Sequence, residues 1–145
     1  MRFTCLLLLC AGLSLGATCR RGATDGTAIG EVADEGATSH DFPVMPGMAH
    51  ACGESVLGGD GSEIVWDIYS TTEPLETVAA WYDERLGTGG LETTDEKWTW
   101  RMPPGAERPE RVLSLTPATA WHPECPGLPA DAVTIGNFSN MFSRN

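Results

Sequence analysis

The residues best suited to chemistry in this chain lie in two short runs, His50-Ala51-Cys52 and His122-Pro123-Glu124-Cys125. Two imidazoles and two thiols can close a tetrahedral zinc site or hold copper, because both ions favour nitrogen and sulfur ligands. The spacing matches no zinc finger or knuckle. In an oxidising compartment the same cysteines form a disulfide, and the histidines are then polar neighbours of the bond. A Cys52–Cys125 disulfide is therefore the favoured expectation, with a metal set of His50, Cys52, His122 and Cys125 as its alternative. Closing so long a loop contributes about 4 kcal/mol in the chain-entropy model, a large share of a small domain's stability.

Other groups carry weaker signals. Asp60, Glu63 and Asp67 lack the spacing of a calcium loop, and strand alternation sets Glu63 and Asp67 apart from Ile64, Trp66 and Ile68, as solvated residues. Asp83 and Glu84 belong to the wet face of a helix. No nucleophile elbow, phosphate loop, dinucleotide fingerprint or zinc-protease helix is present. The three histidines have no convergent base and nucleophile beside them, so no catalytic residue and no cofactor is expected. Of the five tryptophans, Trp66, Trp81, Trp98 and Trp100 fall at core positions of strands or a helix. Trp121, among prolines and a histidine, is the expected exposed binding aromatic.

The compartment is read from the first nineteen residues. Arg2, an apolar run through Leu15, and the small residues Gly16, Ala17 and Thr18 have the order of an export signal over residues 1–19. The run is shorter than the ~20 residues that span a bilayer. Cys19 directly follows the small residues, in Leu15-Gly16-Ala17-Thr18-Cys19, which resembles the lipobox of bacterial lipoproteins. Gly16 and Thr18 depart from that box, which normally has Leu three residues before the cysteine and Gly or Ala directly before it. The expectation is a lipid on Cys19 and a membrane-anchored protein facing the periplasm or cell surface, with a soluble secreted protein as the alternative. Cys5 and Cys10 leave with the signal, and lipidation of Cys19 leaves Cys52 and Cys125 as an even pair. The net charge of −11 and the single lysine, Lys97, exclude the cation cluster that a nucleic-acid partner needs.

These groups must be positioned by one domain, since the length allows a real core but not two. Residues 20–40, rich in Gly, Ala, Thr, Asp and Glu, are expected to be a flexible linker. The folded domain is expected over 41–145. Phe42 to Gly47 reads as a short extended edge closed by a Pro-Gly turn. Alternation predicts strands around Ile64–Ile68, Trp98–Met102, Leu113–Leu115 and from Val133. Residues 74–86 predict a helix burying Leu75, Val78, Ala79, Tyr82 and Leu86, capped by Thr72 or Glu73 and ended by Gly87. The expected fold is α+β, one amphipathic helix on a mostly antiparallel sheet of four or five strands.

The runs Pro43-Val44-Met45-Pro46-Gly47, Ser70-Thr71-Thr72-Glu73 and Glu76-Thr77-Val78-Ala79-Ala80-Trp81-Tyr82 resemble small exported bacterial lipoprotein-like domains of unknown function. Those pair a Pro-x-Tyr-Pro-Gly segment with a helix reading Thr-Asp-Asp-Ser-x-Glu-Glu-Val-x-x-Phe-Tyr. The resemblance spans residues 42–86 and implies no catalytic residue. The resulting expectation is a non-enzymatic cell-envelope lipoprotein, membrane-bound through its N-terminal lipid, that binds or supports an envelope protein or glycan. A small periplasmic hydrolase and a metal-binding periplasmic protein are the alternatives.

Overall fold

The computed structural model describes residues 28–92, 96–106, 108–120 and 122–142. The signal segment with Cys19, linker residues 20–27 and Trp121 lie outside the described residues. β-Branched and aromatic side chains, with turns of Gly, Pro and Ser between them, make strands the main regular structure of the described residues. In chain order the elements are β1 (Thr38–Ser39), β2 (Phe42–Pro43), β3 (Ala49–Leu57), β4 (Glu63–Thr71), α1 (Leu75–Leu86), β5 (Gly90–Glu92), β6 (Lys97–Met102), β7 (Glu110–Pro117) and β8 (Thr134–Phe142). β1 and β2 form a two-stranded ribbon, and the other strands form a six-stranded sheet in the order β3-β4-β8-β7-β6-β5. Every pairing is antiparallel.

The fold is thus α+β, one helix packed on an antiparallel sheet, but the sheet has more strands than expected. The additional ones are β3, whose Ala-His-Ala-Cys-Gly-Glu sequence alternates poorly, and the short β5. The helix buries Leu75, Val78, Ala79 and Tyr82, while Leu86 is only half-buried, a narrower apolar face than expected. Pro74 occupies its N-cap without a side-chain bond, so neither Thr72 nor Glu73 caps it. Gly87 ends it at φ 83°, donating its N–H to Asp83 O, the left-handed stop that glycine suits.

One face of the sheet, the helix face, carries the main core. Tyr69, Trp100, Leu113, Leu115 and Phe138 pack there against α1 and against Phe42, Val44 and Met48. The Phe42 to Gly47 segment is therefore no peripheral edge, since Phe42 and Val44 are fully buried. Trp100 is buried and donates Nε1–H to Gly87 O at 2.7 Å, while Trp66, Trp81 and Trp98 are half-buried.

The expectation of a linker through residue 40 is corrected for residues 28–40. Gly30 N–H donates to His50 O, His50 N–H to Glu31 O, and Ala33 N–H to Met48 O, so this stretch runs along the start of β3. It then enters the β1–β2 ribbon, where Ser39 and His40 are buried. The composition is poor in large apolar residues, and its order comes from backbone and polar side-chain bonds instead.

The opposite, open face is covered at one end only. There Ala118, Cys125 and Leu128, from the loop between β7 and β8, pack over Ile68 and Ile135, held by the Cys52–Cys125 disulfide with Cα atoms 5.5 Å apart. Among the described residues no helix is long and apolar enough to cross a membrane.

Candidate functional site

His50 and Cys52 are two residues apart on β3, and in a regular strand they would share a face. A bulge between them shifts the register, so that His50 pairs with Tyr69 whereas Cys52 pairs with Ile68. His50 consequently enters the helix face, and Cys52 reaches the open face and bonds Cys125. His122 lies on the open face, in the cleft described below. The alternative set of His50, Cys52, His122 and Cys125 is therefore divided between two sides of the sheet, with both sulfurs joined to each other. Among the described residues no group of three His, Cys, Asp or Glu side chains is arranged to hold a metal ion.

On the helix face the structure assembles a polar constellation instead. Asp67 is 2 % exposed, not solvated, because residues 67–70 of β4 are covered on both sides and alternation there does not separate core from water. His50 Nε2 lies 3.1 Å from its Oδ1, and His40 Nε2 lies 3.0 Å from its Oδ2. Ser39 Oγ–H donates to Oδ2 at 3.3 Å. His40 and Asp41 form the tip of the ribbon, both in the left-handed region at φ 51° and 64°. Such residues are held there only when their surroundings over-determine them. Asp67 fixes one side of this tip, and Arg111 Nη1–H fixes the other by donating to Asp41 Oδ2 at 2.9 Å.

The chemistry of this group follows from its connectivity. In a nucleophilic triad the hydroxyl meets the imidazole and the imidazole meets the carboxylate. Here the Ser39 hydroxyl meets the carboxylate directly, and His50 Nδ1 is buried with no partner. No hydroxyl is activated by this arrangement. What it does is tie Ser39 and His40 of the ribbon to the sheet through one carboxylate. Ser39 and His40 escape sequence reasoning because they fall in a stretch of linker composition, and Asp67 because its sequence neighbours look like one apolar face.

The open face carries the accessible site. Thr99, Ser114, Asn137, Ile68 and Cys52 form one cross-strand row over β6, β7, β8, β4 and β3. Thr116 and Ile135 lie opposite each other in the next row. Between these rows and residues 118–133 is a cleft of about 290 Å³, lined by Ile68, Ile135, Ser114, Thr116, Asn137, Lys97 and His122, among others. Its floor is apolar and its walls present hydroxyl, amide, ammonium and imidazole groups. His122 Nδ1 is engaged with Pro123 O at 2.9 Å, which orients the ring. Asn137 Oδ1 is buried and has no hydrogen-bond donor. A buried carbonyl oxygen left unmatched costs about 1–3 kcal/mol.

No family model matches the chain, and comparison with curated proteins and with solved structures finds nothing similar to it.

Proposed function

We propose that this chain is a non-enzymatic, exported envelope protein, anchored through a lipid on Cys19, whose domain binds a hydroxyl-rich envelope component in the cleft of the open face. The observation that carries the binding reading is the cleft itself, which combines an apolar floor of Ile68 and Ile135 with Asn137, Ser114, Thr116, Lys97 and His122. Sugar rings offer that combination of an apolar face and hydroxyl donors. Export is supported by the signal-like order of residues 1–19 and by the Cys52–Cys125 bond, which belongs to oxidising compartments.

Titration of the protein with N-acetylglucosamine oligomers by calorimetry and saturation-transfer NMR tests the binding reading. The expected result is saturable binding that Asn137→Leu weakens about tenfold, the cost of one lost buried hydrogen bond. Binding indifferent to Asn137→Leu, or no binding, removes the cleft from consideration. Shortened oligomers in the mixture would reassign the protein to the hydrolases. Intact mass of the native protein tests the anchor: acyl mass on an N-terminal Cys19 is expected, and an unmodified chain starting at Thr18 or Arg20 refutes it.

A further inference from the structure

The outer side of β3 is an open sheet edge. At its beginning it is occupied, since Gly30 and Glu31 bond His50 and Val32 bridges Ala49. Beyond Ala51 no described residue pairs with it, and Gly53 to Leu57 are all exposed. The backbone groups of His50 point outward to residues 30 and 31, and alternation carried past the bulge turns those of Gly53, Ser55 and Leu57 outward too.

The same end of the sheet is apolar. Val56, Ile64 and Met141 form one cross-strand row on the open face and are 49 %, 39 % and 38 % exposed. Leu57 and Phe142 flank Glu63 at the same end, 70 % and 40 % exposed. A long apolar edge is a template for another strand, and proteins usually guard such edges with lysine. Here the charge has the opposite sign. Residues 49–71 contain no Lys or Arg, and Glu54, Asp60 and Glu63 surround the row. The Ser62 hydroxyl and amide, both donating to Asp60, hold its carboxyl below the usual range. A second copy of this acidic chain would set carboxylate against carboxylate, whereas a basic strand is attracted.

We infer that the edge of β3 from Gly53 to Leu57 receives an extended basic segment of a partner protein as a further strand, with Lys or Arg facing Glu54 and apolar side chains against Val56 and Leu57. Main-chain bonds to the outward groups supply affinity, and the carboxylates select the sign of the partner's charge. This edge is distinct from the cleft of the open face, so the two readings stand or fall separately.

The probe is a blocked heptapeptide, Thr-Lys-Thr-Val-Val-Lys-Thr, whose first lysine and first valine share one face, as Glu54 and Val56 do, and whose second valine faces the side of Leu57; it is titrated into the ¹⁵N-labelled full chain, with a glutamate-for-lysine version as its control. Amide shifts at Gly53, Ser55 and Leu57 are expected with the lysine peptide, weakening as salt rises. The double variant Glu54→Lys/Glu63→Lys should lose about tenfold or more in affinity for the lysine peptide and gain affinity for the glutamate peptide. Ser55→Pro, which removes one outward N–H, should abolish binding; because proline can also disturb the strand, the charge-reversal pair decides. Absence of shifts, shifts confined to other residues, or equal binding of the two peptides overturns the inference. So does shifting of these amides with protein concentration alone accompanied by dimer in sedimentation, which would make a second copy the occupant.

Discussion

Gly53 and Asp67 face each other across β3 and β4, and the Asp67 carboxylate occupies the space where a side chain at Gly53 would begin. A Cβ built on Gly53 overlaps Asp67 Oδ1, the oxygen that meets His50. The glycine is thus a requirement of the buried carboxylate rather than of backbone conformation. Gly53→Ala should lower stability by about 1–3 kcal/mol through overpacking, read as a lower urea midpoint with an unchanged m-value. Gly59→Ala, where nothing lies within 4 Å of the added carbon, is the control and should leave the midpoint nearly unchanged.

Asp67 joins three side chains from two segments, so its loss should exceed that of an ordinary surface acid. Asp67→Ala leaves His50 and Ser39 buried without their acceptor, removes the carboxylate 3.0 Å from His40 Nε2, and should cost about 3–5 kcal/mol. In a double-mutant cycle, His50→Ala should add little once Asp67 is absent, giving a coupling energy on the order of 1 kcal/mol or more. Hydrogen exchange at His50 and Ala33, whose amides tie residues 28–33 to β3, should accelerate in Asp67→Ala more than exchange in α1. Uniform acceleration throughout the domain would show that Asp67 does not act through the ribbon.

The disulfide joins residues 73 positions apart and tethers the wall of the open-face cleft. Cys125→Ser should cost about 2–5 kcal/mol in chemical denaturation. At concentrations of denaturant where the variant is still folded, protection should fall first at Ala118, Ala120 and Leu128, whose amides donate to Val133, Pro117 and Cys125 in and at the start of the loop beyond β7. Alkylation of both thiols in the unreduced native protein would contradict the bond itself.

Tyr82 supplies a pH dependence on the alkaline side. Burial pushes its phenol well above the ordinary value of 10.0, with the Met45 N–H, which donates to Oη at 3.2 Å, pulling the other way. The native state therefore holds this proton more tightly than the unfolded chain. Its contribution is complete below pH 10 and is lost above it, at about 1.4 kcal/mol per pH unit while only the unfolded phenol ionises. Tyr82→Phe should cost about 1 kcal/mol at neutral pH for the lost bond and should flatten the decline above pH 10. Equal slopes for the two proteins in urea titrations at pH 8–11 would mean that the native phenol ionises normally.

Much of the scaffold was legible in the residues themselves. The alternation of Ile64, Trp66 and Ile68, of Trp98, Trp100 and Met102, and of Leu113 and Leu115 marks β4, β6 and β7, and the spacing of Leu75, Val78, Ala79 and Tyr82 marks α1. Periodicity survives in sequence because one buried face imposes it on every residue of an element. Cysteine parity likewise pointed to Cys52 and Cys125, because pairing in an oxidising compartment depends on count before geometry. The sites were decided by tertiary structure. Asp67 sits in a stretch of β4 covered on both sides, and Ser39 and His40 are ordered by a carboxylate 27 or more residues away, neither of which leaves a local pattern. A single bulge then sends His50 to one face and Cys52 to the other, and since side chains alternate with period two, that one-residue shift separates an imidazole from a thiol that the sequence places side by side.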